Sequence, residues 1–233
     1  MSQLTGYERA SYVHQVFGRI ARRYNLMNRL MTAGQDMRWR REAIRRLGLR
    51  PGTRLLDLGA GTGDLGREAL RQQPDIRLVA ADFSLEMMLA GRASGALPWL
   101  NADALHLPFP DETFEAVVSG FLMRNVAGLD AALREQNRVL KPEGRILILE
   151  TTRPHSGIFS PLVRFHMRFV IPWIGGLVSG DREAYRYLPA SSESFLSAEE
   201  LAERMASAGF HNIGFHRRMA GTIAIHWGNK EYR

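Results

Sequence analysis

The feature that most constrains this chain is an alternation that begins at Arg54. Short apolar runs, "RLLDLGA" (54–60), "IRLVAAD" (76–82), "PWLNAD" (98–103), "FEAVVSG" (114–120) and "GRILILE" (144–150), take turns with helical patterns at Asp64–Gln73, Ser84–Ser94 and Leu129–Leu140. Apolar strands joined through helices need cover on both faces, so the pattern predicts a parallel sheet with helices on either side. The end of the chain breaks the alternation. Ser197 with Glu200 three residues on has the spacing of a capping box, and Gly209 suits the helix stop that follows. Then "HNIGFHRRM" and "TIAIHWGNK" meet at Ala220-Gly221 with no helix between them, which is a hairpin signal.

The 233 residues are 45% hydrophobic, enough for one domain over 1–233 with a proper core. No repeat, low-complexity tract or linker divides them. The absence of cysteine excludes disulfides and thiolate metal sites, and the seven histidines are scattered without ligand spacing, so no metal is expected. The N-terminus lacks the apolar region of a signal peptide, and no apolar run reaches the roughly 18 residues of a spanning helix. The expectation is a cytoplasmic protein. Its charge is uneven. Residues 1–50 hold 11 Arg and 3 acids, a net +8, and the rest of the chain nets −1. This basic helical segment is expected to pack on or cap the active site. It could face an anionic membrane surface, an acidic substrate or nucleic acid, or be a solvated helical face. No RNA-binding signature or aromatic-basic stacking run is present, so nucleic acid is not expected; an RNA-binding or RNA-modifying protein is the rival from another class.

"LLDLGAGTGDLG" sits at the first strand-to-helix turn. Gly61 to Gly66 fits GxGxxG, which admits a nicotinamide cofactor and a dehydrogenase reading. The glycines come late, however, and Asp57 and Asp64 flank them with charge that repels a pyrophosphate. S-adenosylmethionine has no phosphate and carries an ammonium and a sulfonium, which an acidic glycine loop suits. The loop residues Asp57, Gly59, Gly61, Thr62 and Gly63 are its candidate cradle, since glycine lets backbone approach a ligand closely. Asp82 ends the second strand, 19 residues beyond Gly63, where a carboxylate can accept both ribose hydroxyls. Asp103 can accept from the adenine amino group. Phe83, Asn101 and Ala102 adjoin these acids and complete the cofactor set. Each acid taken alone could instead be a helix N-cap. A parallel sheet closed by an antiparallel hairpin resembles the class I methyltransferase fold, a Rossmann-like, mostly parallel seven-stranded sheet with N-terminal helices.

With these residues in hand, the chain resembles the quinone-biosynthesis C-methyltransferases, the demethylmenaquinone methyltransferases and polyprenyl-benzoquinol methylases. The resemblance runs from about Val16 to Lys230. "VFGRIARRYNLMNRLMTAGQDMRW" matches the family's first signature at Tyr24, Met27, Asn28, Met31 and Trp39, and departs at Asn25, Thr32 and Asp36, where Asp, Ser and His are usual. "RVLKPEGRILILETT" resembles the second, departing at Glu143 and Thr152; "GDREAYRYLPASSESF" resembles the segment before the last helix. "FLMRNV" resembles a glycine-leucine-arginine-asparagine stretch, with Leu122 in place of the glycine. The Asp36 and Leu122 departures are expected where the quinol ring should lie.

The resemblance implies methyl transfer from S-adenosylmethionine to a ring carbon of a prenylated quinol, demethylmenaquinol first, with benzoquinol methylation or another small molecule as alternatives. It implies that Tyr24, Asn28, Arg124 and Tyr185 face the substrate. Arg124 and Asn125 follow the fourth strand, whose end borders the methyl group in this fold. An arginine is too weak an acid to serve readily as the base, so Arg124 is expected to stabilise a phenolate, with Asn125 orienting the hydroxyl or Arg124. The structural alternative is a bridge from Arg124 to Asp130 or Glu135. His106, His166 and Tyr185 are candidate proton acceptors by chemistry alone. A prenylated quinol lives in the bilayer, and "HSGIFSPLVRFHMRFVIPWIGGLVSG" (155–180) mixes aromatics with Arg as interfacial segments do. Its alternatives are a helix over a substrate tunnel and a homodimer face. Arg22, Arg23, Arg38, Arg40 and Arg41 could add attraction to anionic lipid at the inner membrane face.

Overall fold

A computed structural model describes residues 6–153, 191–192 and 194–232. Within them seven strands form one sheet: β1 (Arg54–Leu58), β2 (Arg77–Asp82), β3 (Trp99–Asn101), β4 (Phe114–Gly120), β5 (Leu140–Thr151), β6 (Phe210–Arg218) and β7 (Ile223–Lys230). The described helices are α1 (Gly6–Ile20), α2 (Tyr24–Met31), α3 (Gln35–Leu47), α4 (Asp64–Gln72), α5 (Leu85–Arg92), α6 (Leu129–Val139) and α7 (Ala198–Ser207).

In space the strands run β3-β2-β1-β4-β5-β7-β6. The first five are parallel, and β7 is inserted antiparallel to both β5 and β6. The sheet is therefore the one expected, with the hairpin closing it. The chain leaves β1 toward β2 on one side and returns to β4 on the other, which makes the C-terminal ends of β1 and β4 a switch point where a ligand can enter.

Alternation along each strand divides the core in two. Leu56, Leu58, Val117, Ile146 and Ile148 face α6 and α7, meeting Leu133, Leu201 and Met205. Leu55, Val118, Leu147 and Leu149 face α3 and α4, meeting Trp39, Ile44, Leu65 and Ala69. Both sets are fully buried, so truncating one such residue to alanine should cost roughly 2–5 kcal/mol.

Local signals hold the ends. Ser197 Oγ accepts from Glu200 N–H at 3.2 Å, and Glu200 Oε2 accepts from Ser197 N–H at 2.6 Å, the expected capping box on α7. Two strand lengths differ from expectation. β5 begins at Leu140, which pairs with Phe114 across an irregularity, because Glu143 takes a left-handed φ of 60° and lets the chain rejoin the ladder. β3 keeps only Trp99–Asn101. α3 buries Trp39, Ala43, Ile44 and Leu47 against the sheet. Val16, Ile20 and Met27 of α1 and α2 form a separate small apolar group. Among the described residues, no helix is long and apolar enough to cross a membrane.

Candidate active site

The glycine loop leaves β1 at Leu58 and enters α4 at Asp64. Gly59, Gly61 and Gly63 hold φ of +66°, +58° and +83°, a region costly for any side chain. Space is short as well: a Cβ at Gly59 would lie 2.7 Å from Leu122 Cδ1, and one at Gly63 would lie 2.6 Å from Leu97 Cδ1. Asp82 pins the loop from β2. Its Oδ2 accepts from Gly61 N–H at 2.6 Å and its Oδ1 from Ser84 N–H at 2.7 Å. Burial raises the Asp82 carboxyl above its usual range, and those two N–H groups oppose the rise. Each carboxylate oxygen retains a further lone pair.

Asp57 lies beneath the loop rather than in the cleft. It is fully buried; Oδ2 accepts from Gly66 N–H at 2.8 Å, while Oδ1 has no hydrogen-bond partner among the described residues. Burial, as the main cause, pushes its carboxyl up to about 7, and the charge of Asp82 adds to the rise.

The cleft beside the loop holds about 910 Å³ of empty space, the open solvent at its mouth included. Of the sequence-predicted residues, Gly59, Gly61, Asp82, Phe83, Ala102, Asp103, Tyr24 and Asn125 line it. Asp57, Thr62, Gly63, Asn101, Asn28 and Arg124 are not on its wall. Asn101 instead donates to the Asp82 and Phe83 carbonyls, both at 2.9 Å, and so fixes the end of β2. Asp103 Oδ1 accepts from Leu105 N–H at 2.9 Å, a local turn that aims the carboxylate. His106 is exposed and off the wall. Tyr185, His166 and the apolar stretch 155–180 lie outside the described residues.

Arg124 shows what an arginine beside an apolar strand does: it is buried and pairs with the fully buried Glu150 at the end of β5. Glu150 Oε2 also accepts from the Arg124 backbone N–H at 3.3 Å. The alternative bridge to Asp130 or Glu135 is not formed; Arg204 holds Asp130 at 2.8 Å, and Arg138 holds Glu135 at 2.7 Å. Glu150 was the partner unforeseen, because only strand pairing brings β5 beside the end of β4. Asn125 Nδ2 donates to the Phe121 carbonyl at 2.8 Å, which sets its amide on the wall. Asp36 is a correction: it is not on the cleft wall but buried, paired with Arg40 at 2.6 Å. Thr32 Oγ1 lies 3.1 Å from its Oδ1. A carboxylate buried beside an arginine stays where its counter-charge is. Leu122 does line the cleft.

The helical N-terminus supplies a roof. Val13, His14 and Phe17 of α1 line the cleft, residues that no local motif marks. His14 Nε2 lies 3.3 Å from Glu86 Oε2, and its ring stands edge-on to Phe83, 5.5 Å between centroids. Asn25 joins the roof to the loop: it accepts from Thr62 Oγ1 at 2.6 Å and donates to Asp64 Oδ1 at 3.2 Å. An amide can do both, whereas the aspartate usual in the pattern could not donate to Asp64.

These residues fit S-adenosylmethionine. Among the described residues no arginine or lysine lines the cleft, whereas the carboxylates of Asp82 and Asp103 do, a charge balance that suits a cation better than a pyrophosphate. Asp82 and Asp103 supply acceptors, close backbone approach is possible at Gly59 and Gly61, and the unpartnered Asp57 Oδ1 lies beneath as an uncompensated acceptor. Among solved structures, a SAM-dependent methyltransferase of Thermotoga maritima superposes with a TM-score of 0.66 at 20% identity, covering 94% of this chain and 100% of that one. The fold is thus that of the class I S-adenosylmethionine-dependent methyltransferases. The chain is 43% identical over 94% of its length, and 90% of the relative's, to the ubiquinone/menaquinone biosynthesis C-methyltransferase of Desulfotalea psychrophila. It is 42% identical over 92% of its length, and 100% of the relative's, to the demethylmenaquinone methyltransferase of Thermus thermophilus. The model of the ubiE/COQ5 methyltransferase family matches residues 5–230, and the chain belongs to that family.

Proposed function

We propose that this methyltransferase places a methyl group on a ring carbon of a prenylated quinol, with demethylmenaquinol as its first substrate. The observation that carries the reading is the mixed wall of the cleft: the acids Asp82 and Asp103 and glycine backbone share it with the apolar Phe17, Tyr24, Phe121, Leu122 and Val126. The names of the relatives support the quinol as the acceptor. When bound, S-adenosylmethionine supplies an electrophilic methyl group.

The rest is work for the chain's own residues. Asp82 and Asp103 hold the nucleoside end by accepting hydrogen bonds. The roof from α1 and α2 excludes water, which favours the fixed geometry that an in-line displacement needs. The apolar part of the wall takes a flat ring, and Asn125 orients its hydroxyl. Arg124 faces a counter-charge in Glu150, so it serves the acceptor from behind the wall.

A bilayer-borne substrate also needs a surface that meets the membrane. Arg38, Arg41 and Arg45 stand on the exposed face of α3, opposite its buried residues, and favour anionic lipid. Binding to anionic vesicles should weaken as salt rises, and equal binding to neutral vesicles would remove this part. The reading itself is tested by labelled methyl transfer from S-adenosylmethionine to demethylmenaquinol and to the demethylated benzoquinol. Transfer to neither ring, with cofactor binding intact, would overturn it.

A further inference from the structure

Phe121 is the one aromatic residue among the described residues with a left-handed backbone, at φ 59°. Glycine would adopt that conformation freely, whereas a bulky side chain does so only where its surroundings enforce it. Those surroundings are specific. Phe121 N–H donates to the Leu149 carbonyl at 2.7 Å, and its own carbonyl accepts from Asn125 Nδ2 at 2.8 Å. The Arg40 guanidinium lies over its ring at 5.6 Å from the centroid, and the Arg124 guanidinium at 5.4 Å. Both distances are within the range of cation–π attraction, which is stronger away from water.

Each guanidinium belongs to a buried ion pair, Asp36–Arg40 from α3 and Arg124–Glu150 from β5 and the turn after β4. Buried pairs of this kind contribute little net stability against apolar replacements, but they fix where groups sit. Here they fix a ring. Phe121 itself borders the cleft, and two further wall residues follow from its geometry: Leu122, directly after the turn, and Asn125, tethered to the Phe121 carbonyl. Asp36, where the family pattern usually has histidine, enters the site by this route and not by contact.

We propose that Phe121 is a positioning residue: its ring, held under the guanidinium groups of the Asp36–Arg40 and Arg124–Glu150 pairs, keeps the left-handed turn that presents Leu122 and Asn125 to the acceptor. The ring is the reason the chain tolerates a strained residue where glycine would be relaxed. The inference rests on the quinol reading only for its turnover measurement.

Three variants at Phe121 and one at Asp36 decide it. Phe121→Leu removes the ring but keeps an apolar side chain, Phe121→Tyr keeps the ring, and Phe121→Gly relaxes the backbone. Phe121→Leu should lose at least tenfold in kcat with demethylmenaquinol, while affinity for S-adenosylhomocysteine by calorimetry stays within threefold, which also shows that the protein is folded. Phe121→Tyr should recover most of the turnover. Phe121→Gly should be as slow as the leucine variant although its backbone strain is relieved and its affinity for S-adenosylhomocysteine stays within threefold, a combination that a purely structural role does not produce. Hydrogen exchange at residues 122–126 should quicken in Phe121→Leu and, by less, in Asp36→Asn. Wild-type turnover in the leucine or glycine variant, or unchanged exchange in the leucine variant, would overturn the proposal. If the wild type methylates no quinol, the exchange measurement still decides it, and the two failures remain distinct.

Discussion

Two turns leave the sheet at neighbouring points and use the same backbone conformation for opposite reasons. After β1, Gly59, Gly61 and Gly63 adopt positive φ, and there the absent side chains matter: backbone can approach a ligand. After β4, Phe121 adopts φ 59° with a full aromatic ring, and there the side chain matters: it is gripped by two guanidinium groups, Arg40 from α3 and Arg124 from the same turn. The first turn concentrates its cost in a buried charge, Asp57, the second in backbone strain. They touch where Leu122 covers Gly59. A cofactor site built on backbone can be nearly local; a site that orients an acceptor through side chains needs the whole fold to hold it.

The strongest way to separate the two turns is Asp82→Ala, which removes the carboxylate that pins the first one. Loss of two charge-assisted hydrogen bonds should cost roughly 2–4 kcal/mol, about 30- to 1,000-fold in cofactor affinity. Calorimetry with S-adenosylhomocysteine measures it, and unchanged affinity with an intact fold would remove Asp82 from the cofactor site.

Asp57→Asn sharpens the difference in where each turn keeps its cost. The folded-state carboxyl, at about 7, lies above the ordinary 3.8, so the native protein binds protons more tightly than the unfolded chain. Stability without cofactor should therefore fall as pH rises from about 4 to about 7, by about 4 kcal/mol at most, and stay low above that. The asparagine variant should lose this slope, being more stable than wild type at pH 8 and little changed at pH 4. It should also bind the cationic cofactor more weakly. Urea melts at both pH values check the first part; parallel slopes in the two proteins would show that Asp57 is not the cause.

Where the turns touch, a double-mutant cycle is informative. Gly59→Ala should weaken cofactor binding by about 2 kcal/mol, from the clash with Leu122 and the positive φ together. Adding Leu122→Ala should return about half, since it relieves only the clash. Strict additivity would mean that the loop and the turn do not share this contact. The smallest expected effect is Asn125→Ala, about 5- to 10-fold in kcat with cofactor affinity unchanged, measured under cofactor saturation; a change confined to cofactor affinity would assign Asn125 to the first turn instead.

The first turn was legible because its signals are local. Glycines at fixed offsets, an acid at the end of each of two strands and the apolar-strand rhythm all act over a few residues, and Gly59, Gly61, Asp82 and Asp103 line the cleft as their spacing implied. The second was only partly legible. Sequence pointed to Arg124 and Asn125 but sought the partner of Arg124 on the next helix, because helical neighbours are the ones a local pattern can name. Glu150 lies 26 residues away, on a strand that only sheet pairing brings alongside.

By itself the sequence determined the class of the fold: apolar strands in alternation demand a covered parallel sheet, the capped last helix and hairpin close it, and late glycines between acids disfavour a phosphate and suit a cation. Tertiary structure alone decided that α1 would roof the cleft with Val13, His14 and Phe17, that Asp36 would turn inward to Arg40, and that Asp57 would support the loop from below. Periodicity and turn propensity are short-range properties, so they survive in a sequence read alone. The burial of a charge, the choice of its partner and the tolerance of a strained phenylalanine depend on which distant groups share one volume, and that is settled only when the core packs.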